Sequence, residues 1–305
     1  MPSIQSRITR FIIRKFVAPK LLNAKLPISV QRKKMDKIQG LALMPLGIDM
    51  ESVSVVNMDG LWITPKKLDI QSNQSKNNRV ILYLHGGGYN IGSIKSHKEM
   101  AARLAKSANA KVLLIDYRMA PEHPYPAAVD DAKLAYQWLL ENGYSAKDIC
   151  IAGDSAGGGL TLAAAIALRD GGAELPACLC VFSPWTDVAM TGETMNDSTY
   201  DPMLNISWIQ QMADGYSQGS DVRSPTMSPL YDSYKGLPPI LIHVGSDELL
   251  LSDSTRFAEQ AKAAGVDVTL EVWADMWHVW HLHAGFMPES KQAMVAAGSF
   301  IESRV

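Results

Sequence analysis

The sequence has few cysteines, no long apolar run and no large excess of charge of either sign. Three cysteines in 305 residues cannot build a disulfide framework, and so low a count is typical of a reducing compartment, so we expect a cytoplasmic location. No apolar run approaches the roughly 20 residues that a membrane span needs. The net charge of −2 gives no indication of nucleic-acid binding. What remains is a globular composition, 47% apolar and 20% charged.

The cysteines also give no indication of a metal site. Cys178 and Cys180 lie in an apolar stretch with no matching cysteine or histidine pair beside them. Zinc sites need such a second pair, so we interpret these residues as buried thiols of the core. The sequence implies neither a metal nor a cofactor.

Positive charge is concentrated at the N-terminus. Residues 1–40 carry ten Lys and Arg against one acid, Asp36. Within residues 1–18, Ile4, Ile8 and Phe11 recur at helical spacing with arginines between them. This pattern predicts an amphipathic helix, ended by Pro19, that packs on the rest of the protein. The alternative is that residues 1–18 also make peripheral contact with an anionic lipid or membrane surface.

Beyond residue 52 the sequence alternates between strand-like and helix-like segments. Residues 52–56 and 61–64 predict a hairpin around a turn at 57–60, and the polar stretch 69–79 predicts a loop. Apolar strands that alternate with helices indicate an α/β fold with a mostly parallel central sheet flanked by helices. The predicted strands after the hairpin are 80–84, 112–115, 149–152, 177–182, 240–244 and 268–272. The predicted helices are 96–108, 126–140, 156–169, 206–216, 253–264 and 289–303.

The segment Gly153-Asp-Ser-Ala-Gly157 matches the G-x-S-x-G pattern of a nucleophile elbow. An apolar strand leads into it and an alanine-rich helix follows, which is the strand–turn–helix setting that this motif requires. Flanking glycines permit the sharp turn that exposes the serine. We therefore predict that Ser155 is a nucleophile.

A glycine loop follows the predicted strand 80–84. The sequence His85-Gly86-Gly87-Gly88 can turn backbone N–H groups toward an oxyanion without side-chain obstruction. Such loops pair with the N–H of the residue after the nucleophile, here Ala156. We predict an oxyanion hole from Gly86, Gly87, Gly88 and Ala156, with His85 itself in a structural role.

A serine nucleophile needs a base and an acid, which in this type of sheet follow the serine in the chain. His278 comes shortly after strand 268–272 and is the favoured base, with His281 as the alternative. Asp247 comes directly after strand 240–244 and is the favoured acid, with Glu248 as the main rival. Asp253 fits a helix start better, and Asp275 lies close to His278 in the chain.

Taken together, the motifs resemble those of the bacterial hormone-sensitive-lipase-like (family IV) carboxylesterases of the α/β-hydrolase superfamily. The segments that carry the resemblance are 85–88, 116–131, 153–158, 183–187, 247–253 and 276–280. The resemblance implies an α/β-hydrolase fold with a helical cap and a triad of Ser155, Asp247 and His278. It divides the chain into an N-terminal cap segment (1–52), a first core part (53–183), a cap insertion (184–238) and a second core part (239–305). Candidate pocket residues are Tyr89, Trp208, Met212 and Tyr216, for which ordinary core packing is the alternative.

The expected activity is hydrolysis of small-molecule esters with short- to medium-chain acyl groups through an acyl-enzyme on Ser155. Amide or carbamate hydrolysis, including deacetylation, would use the same residues and stays open. A ligand receptor on an inactive hydrolase scaffold is the competing class, which the joint presence of a serine, an acid and a base disfavours. We expect no nucleic-acid partner, and a homodimer is open.

Overall fold

The computed structural model describes residues 1–66, 78–196 and 200–305. Of the predicted loop over 69–79, residues 69–77 lie outside this range. In the described part, eight strands form one sheet in the order β1-β2-β4-β3-β5-β6-β7-β8. The strands are β1 (Ile48–Val55), β2 (Met58–Pro65), β3 (Val80–Leu84), β4 (Lys111–Ile115), β5 (Ile149–Asp154), β6 (Cys178–Phe182), β7 (Ile240–Gly245) and β8 (Val268–Trp273).

The sheet is parallel except at one end. Strand β2 pairs antiparallel with both β1 and β4, whereas all pairs from β4 to β8 are parallel. The turn of the β1–β2 hairpin lies at residues 56–57 rather than 57–60, because Val56 adopts a left-handed φ of 56° that reverses the chain in two residues. Strand β1 begins at Ile48, so the boundary predicted between residues 52 and 53 falls inside this strand.

Helices cover both faces of the sheet, which confirms the predicted fold class. Residues of β3 alternate between two core clusters: Val80 and Leu82 pack with the helices on one face, while Ile81 and Tyr83 pack with the helices on the other. Each helix predicted after residue 52 agrees with an observed one to within two residues at either end. The helices after the N-terminal region are α4 (Ile94–Ser107), α5 (Ala127–Glu141), α6 (Ala156–Asp170), α7 (Ile206–Ser217), α8 (Leu251–Ala263) and α9 (Pro288–Glu302).

The N-terminal region differs from the prediction. Helix α1 (Ile4–Ile12) continues through a π-helical turn at 13–17 into α2 (Ala18–Leu21), and α3 (Ile28–Gln39) follows. Pro19 does not end the helix because it occupies the first turn of α2, where its missing N–H costs no hydrogen bond.

The packed face of α1 was also predicted wrongly. The buried side chains of α1 are Ser6 and Thr9, whereas Ile4 and Ile8 are 72% and 54% exposed. The buried side chains of α1 are therefore small and polar, and those of the apolar stripe are largely exposed. Among the described residues, no helix has the length and apolar character to cross a membrane.

Candidate active site

Ser155 lies at the turn between β5 and α6, where backbone and glycines produce a tight elbow. Its φ of 55° and ψ of −121° are strained for a residue with a side chain. A Cβ on Gly157 would come within 2.0 Å of the Leu84 carbonyl oxygen, and one on Gly153 within 2.4 Å of the Gly157 carbonyl oxygen. Only glycine at both positions permits this approach of elbow and strand.

His278 joins Ser155 from the loop after β8. Its Nε2 lies 2.9 Å from Ser155 Oγ, and its side chain is buried. This is hydrogen-bond distance for a serine and its general base. The two residues that the sequence analysis favoured as nucleophile and base are thus brought together.

The carboxylate beside His278 is that of Glu248 and not that of Asp247. Glu248 Oε1 lies 3.7 Å from His278 Nδ1, and Glu248 is fully buried. The separation is longer than a hydrogen bond, and in the described part of the chain neither of these two atoms has a hydrogen-bond partner. Each is therefore free to pair with the other.

Asp247 points away from the base, so the sequence-based choice of acid needs correction. Its Oδ2 accepts from Arg10 Nη1 at 2.5 Å, and its Oδ1 accepts from Ser246 Oγ at 2.7 Å. The reason is the sharp turn after β7: Asp247 donates its backbone N–H to the Met276 carbonyl at 2.9 Å, which turns its side chain outward and the next one inward. Sequence spacing alone does not distinguish neighbours on such a turn.

Ser183 is a functional-site residue that the sequence analysis missed. Its hydroxyl donates to Glu248 Oε2 at 2.8 Å and accepts the Val279 N–H at 3.1 Å. Gly245 N–H also donates to Glu248 Oε2, at 3.2 Å. Ser183 therefore fixes the carboxylate and the segment next to His278 at once, and its place in the 183–187 motif was the only sequence signal.

A second missed residue, Asp154, anchors the glycine loop. Asp154 Oδ1 accepts from Tyr83 Oη at 2.8 Å and from Gly86 N–H at 3.1 Å, and Oδ2 lies 3.5 Å from His97 Nε2. Burial raises the pKa of Asp154, but His97 and Tyr83 outweigh this effect and hold the pKa below its ordinary value. The carboxylate thus stays charged next to the nucleophile.

This anchoring changes the set of candidate oxyanion donors. Gly86 is excluded because its N–H is donated to Asp154. Gly87 and Gly88 follow with φ of 121° and 61°, conformations that favour glycine. Ala156 is the first residue of α6, where a backbone N–H has no partner inside the helix.

The remaining candidate residues lie elsewhere in the core. His281, the alternative base, has its Nε2 3.2 Å from His243 Nδ1. His85 stacks on Tyr117 with ring centroids 4.4 Å apart, and burial, together with His97, lowers its pKa to about 3. Asp253 accepts the N–H groups of Thr186 and Asp187, each at 2.9 Å. Of the candidate catalytic residues, Ser155, His278 and Glu248 are therefore the three that lie together.

Asp201 is a further buried carboxylate near the base. It accepts the N–H of Leu249, the residue after Glu248, at 2.9 Å. Burial raises the pKa of Asp201 to about 6, against the opposing effects of His278 and the backbone donors.

Two segments outside the sheet lie over Ser155. Trp208 Nε1 of α7 donates to Gln31 Oε1 of α3 at 2.7 Å, and Asn205 Nδ2 donates to the Leu22 carbonyl at 3.0 Å. A cavity of about 30 Å³ at Ser155 is lined from both segments. Its lining residues are Leu22, Met35, Gln39, Gly87, Ile91, His97, Asp154, Ser155, Met203, Leu204, Trp208, His278, Val279 and Leu282.

Only one of the four predicted pocket residues lines this cavity. Trp208 does so. Tyr89 and Tyr216 are fully buried behind it and stack with centroids 3.7 Å apart. Met212 packs on the glycine loop, where a Cβ on Gly88 would lie 2.5 Å from Met212 Cγ. For these three the core-packing alternative describes the observed contacts.

Within the described ranges no group of three or more His, Cys, Asp or Glu side chains is arranged to hold a metal ion. Cys150, Cys178 and Cys180 are free and buried.

Comparisons with known proteins identify the fold and the family. Residues 81–282 match the family of proteins with the alpha/beta hydrolase fold. The chain is 41% identical over 252 residues to an acetyl-hydrolase of Streptomyces hygroscopicus, covering 82% of each chain. It is 37% identical over 233 residues to an esterase of Acinetobacter venetianus, covering 75% of this chain and 77% of the relative. A solved esterase from the bacterial hormone-sensitive lipase family superposes with a TM-score of 0.92 at 39% identity, over 100% of this chain and 99% of that one.

Proposed function

The chain belongs to the hormone-sensitive-lipase-like esterases of the α/β-hydrolase family, and on this premise we propose that it hydrolyses short-chain carboxylic esters through Ser155, His278 and Glu248. Ester hydrolysis is the activity of the family. The assignment of residues is carried by the 2.9 Å contact between Ser155 Oγ and His278 Nε2. Glu248 is proposed as the acid because it is the carboxylate that faces His278 Nδ1.

The proposed reaction begins with attack of Ser155 Oγ on the ester carbonyl carbon. The hydroxyl proton passes to His278 Nε2, and the carbonyl π electrons move to oxygen. The N–H groups of Gly87, Gly88 and Ala156 are the proposed donors to that oxyanion, and each such donor contributes roughly 3–4 kcal/mol. Glu248 stabilises the imidazolium as it forms, and its 3.7 Å separation is of the kind that tightens when charge develops.

Collapse of the intermediate breaks the bond between carbon and the alcohol oxygen. The alcohol leaves with the proton from His278, and the acyl group stays on Ser155. Water then attacks the acyl-enzyme while His278 takes its proton, and the second collapse returns that proton to Ser155 as the acid leaves.

The small cavity supports a short acyl group. A volume of about 30 Å³ exceeds the 10–15 Å³ that one water needs by only a factor of roughly two. A relative that is 41% identical carries the name acetyl-hydrolase. We therefore propose acetyl and propionyl esters as the preferred acyl groups, with esters cleaved faster than matched anilides.

We propose that the N-terminal helices and the insertion 184–238 together form the substrate cap. The support is the Gln31–Trp208 hydrogen bond of 2.7 Å and the shared lining of the Ser155 cavity. The N-terminal part then ends before β1 at Ile48.

The test of the catalytic assignment is active-site labelling with the organophosphate diethyl p-nitrophenyl phosphate. We expect one diethylphosphoryl group on the peptide that contains Ser155 and a parallel loss of p-nitrophenyl acetate hydrolysis. Ser155→Ala is expected to be unlabelled and inactive, while Ser145→Ala, on an unrelated loop, serves as the control. Undiminished turnover by Ser155→Ala would overturn the proposal.

A second candidate property is peripheral contact with lipid through residues 1–18. The outward stripe of α1 and the following turn includes Phe11 and Phe16, which are 58% and 55% exposed, in a segment rich in arginine. Apolar side chains flanked by cations fit an anionic lipid surface. Co-sedimentation with phosphatidylglycerol vesicles is expected for the wild type and reduced for Phe11→Glu, and equal binding by both would refute it.

A homodimer is proposed through β8. This strand lies at one end of the sheet, and its Val272 is 48% exposed, so its outer edge can pair with β8 of a second copy. Sedimentation velocity is expected to give a dimer that Val272→Pro shifts to monomer. A wild type that sediments as a monomer at micromolar concentration would contradict it.

We also propose a cytoplasmic location, for which the three free, buried thiols are the support. Fractionation of cells that express the chain is expected to recover esterase activity in the cytoplasmic fraction, and recovery with secreted proteins would contradict it.

A further inference from the structure

The cavity at Ser155 adjoins a second and much larger cavity. The outer cavity has a volume of about 440 Å³, against about 30 Å³ for the inner one. Both are lined by Leu22, Gln39, Met203 and Leu282. These four residues therefore form the boundary across which one substrate can extend from the reacting serine into the outer space.

The wall of the outer cavity is largely aliphatic. Helices α1 to α3 and the π-helical turn contribute Ile8, Ile13, Leu21 and Ile38, and Leu282 and Phe286 also line the cavity. Its volume is within the range of about 300–1,000 Å³ found for small-molecule sites. Such a wall favours an apolar substituent, because polar groups would lose hydration without gaining partners.

The geometry of proton transfer indicates which side of the ester enters this space. The leaving oxygen must accept its proton from His278 Nε2, so the alcohol portion starts on the His278 side of Ser155. The wall on that side continues from His278 through Val279 to Leu282, and Leu282 and Phe286 then line the outer cavity. On the oxyanion side, Gly87 and Ile91 line only the inner cavity.

We propose that the outer cavity binds the alcohol portion of the substrate, so that the preferred substrates are small acyl esters of large apolar alcohols. This inference rests on the proposed function at Ser155 and adds the substrate class. The inner cavity limits the size of the acyl group, while the outer cavity raises kcat/KM for esters of longer apolar alcohols. The specificity of the enzyme is then asymmetric about the ester bond.

Two isomeric esters test this asymmetry without a change in atom count. Octyl acetate has a short acyl group and a long alcohol, and ethyl octanoate has the reverse. Each methylene that enters an apolar site is expected to raise kcat/KM by about fourfold. Octyl acetate has six more methylenes in its alcohol and should therefore exceed ethyl acetate by about 10³-fold, while ethyl octanoate should fall below ethyl acetate.

Variants locate the effect in the outer cavity. Ala42 lines it and is exposed, so Ala42→Trp narrows the space with little demand on the core; Ala18→Leu narrows it from α2. Both are expected to lower kcat/KM for octyl acetate by about tenfold more than kcat/KM for ethyl acetate. The exposed Ala263 of α8 provides the control Ala263→Trp, for which neither value should change.

The outcomes separate this inference from the proposed function. Hydrolysis of ethyl acetate that is lost in Ser155→Ala upholds the catalytic assignment whatever the longer esters show. If ethyl octanoate is the better isomer and Ala42→Trp penalises it, the acyl chain occupies the outer cavity and the inference is overturned. Equal rates for both isomers, unaffected by Ala42→Trp, overturn it as well.

Discussion

The guanidinium of Arg10 joins α1 to the carboxylate of Asp247 at 2.5 Å. The same side chain donates to the Tyr200 carbonyl at 2.9 Å and to the Asp275 carbonyl at 3.4 Å. Asp247 precedes Glu248, and Asp275 lies three residues before His278. One N-terminal side chain thus contacts both loops that carry the proposed acid and base.

Removal of this cation should weaken catalysis without removing any reacting group. Arg10→Gln is expected to lower kcat for p-nitrophenyl acetate by about tenfold, because small displacements of the loops are costly to catalysis. Arg7→Gln, on an exposed position of the same helix, is the matched control. An unchanged kcat in Arg10→Gln would contradict this role.

The elbow should tolerate no side chain at Gly157. A Cβ there would lie 2.0 Å from the Leu84 carbonyl oxygen, and neither strand nor helix can move without the other. Gly157→Ala is expected to lower the free energy of unfolding by about 3 kcal/mol or more and to abolish esterase activity. Gly143→Ala places a Cβ in open space at a φ of 89° and should cost only about 1–2 kcal/mol. Equal urea midpoints for the two variants would show that the close approach is unimportant.

Acid should destabilise the fold partly through His283. Burial lowers the pKa of this imidazole from 6.5 to about 4. Below about pH 6.5 the unfolded chain therefore binds a proton that the folded protein does not bind. The contribution of His283 to stability is complete above that pH and is lost as the pH falls toward 4.

His283→Gln removes this titration. Between about pH 7.5 and about pH 5, the Tm of the wild type is expected to fall further than that of the variant. Parallel declines in the two melting curves would mean that His283 is not held neutral by the fold.

The strands, helices and nucleophile were predictable because they depend on local pattern. Apolar runs and helical periodicity placed every strand from β3 to β8 within two residues, and the G-x-S-x-G motif has a fixed local geometry around Ser155. The choice between Asp247 and Glu248 was not predictable in this way, because it depends on a hydrogen bond from Asp247 N–H to Met276, a residue distant in sequence.

The cap and pocket were harder for a related reason. Tyr89 and Tyr216 are of a residue type that often lines pockets, but their rings stack with centroids 3.7 Å apart inside the core. The outward stripe of α1 likewise follows from its fixed ends, where the Ser3 hydroxyl donates to Glu289 at 2.9 Å and Arg10 binds Asp247. These contacts join residues that are far apart in the chain, so no periodic pattern in the sequence predicts them.

The identity of the acid is tested by kcat/KM for p-nitrophenyl acetate in Glu248→Gln and Asp247→Asn, each corrected for active sites by organophosphate titration. Glu248→Gln is expected to lose about 10³- to 10⁴-fold, because the imidazole loses the charge that orients it and stabilises its protonated form. Asp247→Asn should stay within about tenfold of the wild type, since its carboxylate binds Arg10. The reverse order, with Asp247→Asn inactive and Glu248→Gln near wild type, would show that Asp247 is the acid.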